Sequence, residues 1–575
     1  MKPKFSFLLS SLILISLFLS ACGAPAATEP VAPPETEAPV ATDEPTQEPT
    51  EEPTEAVTEA PTAVAEPKSP LVVLIDNDEG PITPANWNTF IGFWMIGWVY
   101  DPLYIRTPEL EPVPALATSA TPSEDSLTWE ITLREGVKWH DGEDFTVDDV
   151  IFSYNFQIAA GTAPQLEAIE SMEANGDYGL TIQLKEPKPF FLNEGLAQTY
   201  IMPEHIWRDQ APVGGELSQF QGMIGTGAYK LVEVEPGQFY RFEANPDYYR
   251  GEPLVPEIIA KIVMDQDQRF TQLRTGEADA VLSSVPPALA EEFESNGEFA
   301  LAKGSNFASF VFYTNGSREP FDDPAVRQAI AKAIDTRTLV DVVLLGQGVE
   351  LPLNWYNPEL PWAINIPHTY DPEAAAAELE AAGLVDSDGD GIRELNGVNT
   401  DFEILCDINK TVEVRATELI VGWLADVGIG SHQVCQDINT TVAVIWPNFV
   451  ALPEPDYDMM IWLWSSTPQA QRGFIRFLTN CDFSGIGTRN LTGICDEEWD
   501  AFMEEFVTNP DPERTEELSQ ELQERFAENL PFIPLMASNG VFAYRPAAYD
   551  GWVYMKGTGI MTVWSFLPEE AQDTP

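Results

Sequence analysis

Carboxylates, thiols and indoles are the side chains in this sequence whose spacing could do chemistry. In Asp386-Ser387-Asp388-Gly389-Asp390-Gly391-Ile392-Arg393-Glu394 the acids fall where the first half of an EF-hand loop carries its calcium ligands, with Gly391 at the glycine position. Gly397 stands where the bidentate glutamate belongs. The segment reads either as a calcium site of Asp386, Asp388, Asp390 and Glu394 or as a solvated acidic turn. The five cysteines divide into Cys22, near the N-terminus, and the group Cys406, Cys435, Cys481 and Cys495. Four thiols in an exported body allow three disulfide pairings. Trp462 and Trp464 are two apart on a strand-like run that ends in Ser465-Ser466, so both rings face one side. Asn86-Trp87-Asn88 and Trp355-Tyr356 are further aromatic points. Flat indole faces suit a stacked ligand, sugar rings included, although most tryptophans in any chain are core.

Catalytic patterns are absent. There is no His-Glu-x-x-His, no Gly-x-Ser-x-Gly and no phosphate-binding loop. Gly225-Thr226-Gly227 lacks a third glycine and runs into the strand-like Tyr229-Lys230-Leu231-Val232, so it is a tight turn. His140, His205, His368 and His432 are scattered. A glycosidase needs two carboxylates placed across a cleft, and nothing singles out a pair among 92 acids. The expectation is a binding protein, not an enzyme, with no cofactor unless calcium is one.

The elements that position these residues begin after an unusual N-terminus. Met1-Lys2-Pro3-Lys4 is basic, and Phe5 to Leu19 is an apolar run too short to span a bilayer comfortably but suited to a signal peptide. It ends in Leu19-Ser20-Ala21-Cys22-Gly23, which resembles the bacterial lipobox, so Cys22 is expected to carry the lipid. Residues 23–69 are almost wholly Ala, Pro, Thr, Glu and Val, an extended tether that cannot build a core. From Leu71 the texture becomes globular. Leu71–Ile75 reads as a buried strand, Leu127–Leu133 as an alternating half-buried one, and Thr146 and Asp323-Pro324 as helix starts. The helix after Asp323 carries Val326, Ala329, Ile330 and Ala333 on one stripe. Strands and helices alternate throughout, so the fold class is α/β in several lobes. The net charge of −62 argues against a nucleic-acid partner and against electrostatic docking on anionic lipid.

Several segments then match a family in order. They are Tyr100-Asp101-Pro102-Leu103, Pro112 to Ala117, Leu133 to Gly142 with Thr146 to Val150, Gly225 to Tyr229, Asn245 to Gly251, Gly276 to Asp279, and Pro320 to Ala329. Together they resemble the family 5 extracytoplasmic solute-binding proteins, the peptide, nickel and oligosaccharide receptors of ABC importers. The resemblance implies a two-lobed fold of the periplasmic-binding-protein kind (type II, cluster C) with an extra subdomain on the first lobe. On that template the chain divides into a lipoprotein signal peptide (1–21), Cys22 and tether (22–69), lobe I (70–105, 223–309 and 529–566), its subdomain (106–222), lobe II (310–528) and a tail (567–575).

The resemblance also implies function. The receptor would be a monomer anchored to the cell membrane by lipid, facing the cell surface or periplasm, closing on its ligand and then recognised by importer permease subunits. Peptide is the expected ligand; oligosaccharide is the alternative, and a sensory or adhesion lipoprotein that has lost transport is another. The expected ligand-binding residues are Asn86, Trp87, Asn88, Trp355, Trp462, Trp464 and Ser465. Many peptide receptors of the family have an Asp just after the tryptophan that Trp464 resembles, where it pairs with the peptide amino terminus; here Ser465 and Ser466 follow. A βαβ unit would set Cys406 beside Cys435. Leu491 to Asp496 resembles a family segment whose loop is often disulfide-closed, which pairs Cys481 with Cys495.

Overall fold

The computed structural model describes residues 68–575 except 81, 85–89, 211–222, 448–449, 483–488 and 573–575. The leader, Cys22, most of the tether and the Asn86-Trp87-Asn88 triplet lie outside the described residues.

Among the described residues eleven strands form one mixed sheet. Its middle holds β1 (Leu71–Ile75), with β10 (Glu257–Ile262) and β11 (Ala280–Val281) parallel on either side. A strand paired on both edges and covered on both faces must be apolar throughout, as the run Leu71-Val72-Val73-Leu74-Ile75 is. Beyond β10 lie β9 (Phe239–Ala244) and β8 (Tyr229–Glu235), both antiparallel neighbours. Beyond β11 come β19 (Ile533–Tyr544), β12 (Ala300–Thr314), β18 (Met459–Trp464), β16 (Phe402–Asp407) and β17 (Ser431–Gln436), and β13 (Gly348–Glu350) pairs with β19 off the main path.

A separate four-stranded sheet makes the subdomain: β4 (Ala117–Pro122), β5 (Thr128–Leu133), β7 (Gly179–Leu184) and β6 (Ile169–Ala174), in that order. β5 alternates as its sequence requires, with Trp129, Ile131 and Leu133 buried. Helix Val147–Ala160 covers it. Its first turn uses Asp149 as a buried tie as well as a dipole partner: the carboxylate accepts N–H bonds from Thr146 (2.9 Å) and Glu204 (2.9 Å). Short ribbons β2 (Tyr104–Arg106) with β3 (Pro112–Pro114), and β14 (Glu394–Leu395) with β15 (Val398–Asn399), complete the strands.

Three large hydrophobic cores result. One holds the β1 side of the big sheet with helix Phe90–Val99, one fills the subdomain, and one lies around β16, β18 and the outer half of β12. Helix Pro324–Ala333 enters the last core by its expected stripe, and Asp323 caps it by accepting the Ala325 N–H at 2.8 Å. β16, helix Thr411–Asp426 and β17 form the expected βαβ unit, with Cys406 and Cys435 directly in register. β12 and β19 run from the outer core to the β1 side. Phe310–Tyr313 and Ile533–Ala537 pack in the outer core, whereas Val541–Ala543 pack on the β1 side. β19 therefore changes core between Ala537 and Val541, further along the chain than residue 529.

Candidate ligand-binding site

The crossing between the two lobes is irregular where a hinge would need it. The β12–β19 ladder breaks register between Ser305 and Ser309, and Phe307, fully buried in the break, takes φ +62°. Just before it, Gly304 faces Gly540 across the ladder, and the Tyr554 ring lies over the pair. A Cβ at Gly304 would sit 2.4 Å from that ring and one at Gly540 2.3 Å from its hydroxyl oxygen, which is why both are glycine. Tyr554 donates its hydroxyl proton to the Gly304 carbonyl at 2.9 Å. The segment that follows, Met555 to Trp564, lies at the boundary: Met555 packs on the cores of both lobes, and Lys556 stands 3.9 Å from Glu359 of lobe II. Gln471 of lobe II donates to Gln198 of the subdomain at 3.1 Å.

β18 brings the expected tryptophans to this boundary and sorts them. Trp464 is 8% exposed, and its Nε1 donates to the Tyr313 hydroxyl at 2.9 Å. Trp462, on the same side with ring centroids 6.1 Å away, is half-buried, as is Ser465. Trp355 does not meet the expectation of a ligand contact. It is fully enclosed, with Nε1 on Ser309 Oγ at 3.1 Å and its ring edge-on to Phe532. It supports the site from within the lobe II core. Gln469, also fully buried, ties the strand end to this turn by donating to the Trp355 carbonyl (2.8 Å) and accepting the Asn357 N–H (2.7 Å). Two buried amide bonds to backbone hold the short helix Ser466–Ala470, with Ser465 at its N-cap, in one place. Sequence reasoning missed Gln469, because a lone amide in the five-residue helix Ser466–Ala470 has no spacing signal.

The acidic turn is only partly assembled. Carboxylate oxygens of Asp386, Asp388 and Glu394 lie within 4.8 Å of one another. Asp390 does not join them: its oxygens accept the Ile392 N–H and the Asn399 side-chain amide. Asp386 accepts the Gly389 and Gly391 N–H groups, and Glu394 accepts from Ser387. The carboxylates also accept the hydrogen bonds that close the turn, and three of the four acids, not four, lie together.

The histidines are structural or superficial. His140 Nε2 donates to the Gly227 carbonyl at 3.0 Å while Nδ1 receives the Gly225 N–H at 3.3 Å, which fixes the neutral ring. Burial pushes its pKa down to about 4. His205 and His432 pair with Asp141 and Asp401 at 2.8 Å.

Tyr100 to Leu103, Leu133 to Gly142, Gly225 to Tyr229 and Asn245 to Gly251, four of the segments whose order suggested a family, converge on one junction. Asp101, buried, accepts hydroxyl protons from Thr226 (2.9 Å) and Tyr248 (2.9 Å). Asn245 donates to Gly227 at 3.1 Å. Gly225 passes so close to the end of helix Phe90–Val99 that a Cβ there would lie 1.8 Å from the Val99 carbonyl oxygen. The same burial raises the Asp101 carboxyl to about 6. The family model for bacterial extracellular solute-binding proteins, family 5 (middle), matches residues 111–485.

The chain belongs to that family.

As a family 5 solute-binding protein it has relatives of several ligand types. The oligopeptide-binding protein AppA of Bacillus subtilis is 27% identical over 455 residues, covering 76% of this chain and 80% of AppA. Heme-binding protein A of Haemophilus influenzae is 26% identical over 465 residues, covering 75% and 80%. The solved structure of the Bacillus subtilis AppA in complex with a nonapeptide superposes with a TM-score of 0.68 at 23% identity, covering 87% of this chain and 99% of that one. The two-lobed fold is thereby established for this chain. No helix among the described residues is long and apolar enough to cross a membrane. Cys406 and Cys435 lie with Cα atoms 4.4 Å apart, and Cys481 and Cys495 4.8 Å apart, both within disulfide reach.

Proposed function

We propose that this protein is the oligopeptide receptor of an ABC importer, closing its lobes on the peptide and presenting the closed form to the permease. The observation that carries the peptide assignment is its likeness to AppA over four-fifths of AppA's length. The geometry supports the motion. The cores of the two lobes are bridged by β12, β19 and Met555, and the ladder between those strands is broken at the crossing. A ligand that bridges Trp462 and Ser465 to the first lobe gains contacts only in the closed state and so shifts the equilibrium toward it. Asn86, Trp87 and Asn88, outside the described residues, are assigned as ligand contacts from the sequence alone. Trp464, with 8% of its surface free, offers an edge to the same ligand.

Cys22 is assigned as the lipidated residue that tethers the body to the membrane, and the body is assigned as a monomer. The two cysteine pairs are assigned as disulfides, in keeping with an extracytoplasmic location.

Thermal unfolding in the presence of mixed peptides of two to nine residues, and separately of oligosaccharides, tests the ligand class. A bound ligand at 100 times its Kd adds about 2.7 kcal/mol to stability. Stabilisation by peptide and none by sugar is the expected result; the reverse would replace this assignment with oligosaccharide uptake.

A further inference from the structure

Beside the lobe boundary, on the lobe I wall, is a cavity of about 140 Å³. Its walls are largely apolar: Phe93, Trp94, Tyr200, Met561 and Trp564 contribute, and Met555 closes it toward lobe II. Gln198, which receives the bond from Gln471 of lobe II, is also in the lining. A single basic residue opens onto it, Arg106, at the end of β2.

The way Arg106 is held leaves its charge available. Nε donates to Asn193 Oδ1 at 2.6 Å and Nη2 to the Asn193 carbonyl at 3.1 Å. Both acceptors are neutral. Nη1 makes no hydrogen bond among the described residues. Glu194, next to Asn193, acts on Arg106 through its field but forms no ion pair with it. Burial raises the Glu194 carboxyl to about 7, so at neutral pH it supplies only part of a countercharge. Arg106 itself, lowered to about 10 by burial, stays protonated. A cation in an apolar enclosure with unspent donors is costly unless an anion arrives to meet it. The planar fork of a guanidinium fits a carboxylate best.

The volume sets the rest of the ligand. An apolar cavity of about 150 Å³ accepts a molecule of benzene's size. The space beside Arg106 therefore takes one apolar side chain and not a chain of sugar rings. We propose that Arg106 is a carboxylate anchor and that the cavity takes the C-terminal residue of the bound peptide, its carboxylate on the guanidinium and its apolar side chain against the aromatic wall. The inference rests on the peptide assignment above and adds to it a direction of binding and a preference at one end. It also fits the absence of an Asp after Trp464: a ligand oriented by its carboxylate has less need of a carboxylate partner for its amino terminus.

The test is isothermal titration of the intact protein with two pentapeptides, four alanines followed by leucine, one a free acid and the other a C-terminal amide. The free acid is expected to bind at least tenfold more tightly than the amide. In Arg106→Gln the two are expected to bind alike, at the wild-type affinity for the amide. Arg106→Lys, which keeps the charge without the fork, is expected to retain part of the difference. Should Arg106→Gln fail to fold, the wild-type ratio and the lysine variant still decide. Equal affinity of acid and amide for the wild type, or an unchanged ratio in Arg106→Gln, overturns the anchor while leaving peptide binding intact. Binding of neither pentapeptide, in a protein that other peptides do not stabilise either, overturns the peptide assignment and the anchor with it.

Discussion

The pair Cys406–Cys435 gives a prediction whose size follows from the fold. β17 ends the sheet and is hydrogen-bonded to it through β16 alone among the described strands. Its strand neighbour carries Cys406 opposite Cys435, so a bond there fastens the least supported strand of lobe II. The two residues are 29 apart, and closing a loop of that length confines the unfolded chain by about 3.6 kcal/mol. The second pair spans 14 residues, for about 3.0 kcal/mol. Two measurements check this. Thiol-reactive reagent on the unreduced, denatured protein should find none of the four cysteines free. In urea unfolding, Cys406→Ala with Cys435→Ala should lower the stability of lobe II by about 3–4 kcal/mol, and reductant should then cost it only the share of the second pair. The reasoning is refuted if the four thiols react without reductant, or if the double variant unfolds within about 1 kcal/mol of the wild type.

Other expectations follow from single sites. His140 is held neutral with its pKa near 4 against an ordinary value of 6.5, so its share of stability is whole above pH 6.5 and is lost as pH falls toward 4; the wild type should lose about 3 kcal/mol more than His140→Gln over that range, and parallel pH profiles of the two would contradict it. Trp355→Ala should cost lobe II about 3–5 kcal/mol by opening a cavity in its core, while Trp462→Ala should leave stability nearly unchanged and weaken peptide binding tenfold or more; unfolding curves and calorimetry separate the two. Calcium titrated into chelator-treated protein should release no heat, since the carboxylates around Asp386 are engaged with backbone N–H groups; a stoichiometric heat would restore the cation reading.

What was legible in the sequence was mostly scaffold. The ordered segments that pointed to a family turn out to hold backbone together, most of them at the lobe I junction and Pro320 to Ala329 in lobe II. Asp101, Thr226, Tyr248 and His140 bond to one another's neighbourhoods, and Arg327 of the Pro320 to Ala329 segment spends its guanidinium on the Phe321, Asn529 and Leu530 carbonyls. Such residues are fixed by backbone geometry, so their spacing survives as a pattern. Strand alternation in β5 and the helix stripe after Asp323 were legible for the same reason: burial imposes a period. The ligand wall was not. Spacing placed Trp462 and Trp464 on one side of a strand, yet Trp464 is bonded to Tyr313, which lies about 150 residues away in sequence. Trp355 looked like a contact and is core, with its ring enclosed beside Phe532 and its Nε1 on Ser309. Arg106 had no pattern at all. Only the meeting of β2, Asn193 and the C-terminal segment makes a cavity around it.

The most direct test of the account is mass spectrometry of whatever small molecule co-purifies with the protein and is released on denaturation. A ligand enclosed between closed lobes survives purification, and a ladder of short peptides with free carboxyl ends is the predicted finding. Masses spaced by hexose units, or a metal chelate or porphyrin as the sole occupant, would contradict the assignment to oligopeptide import.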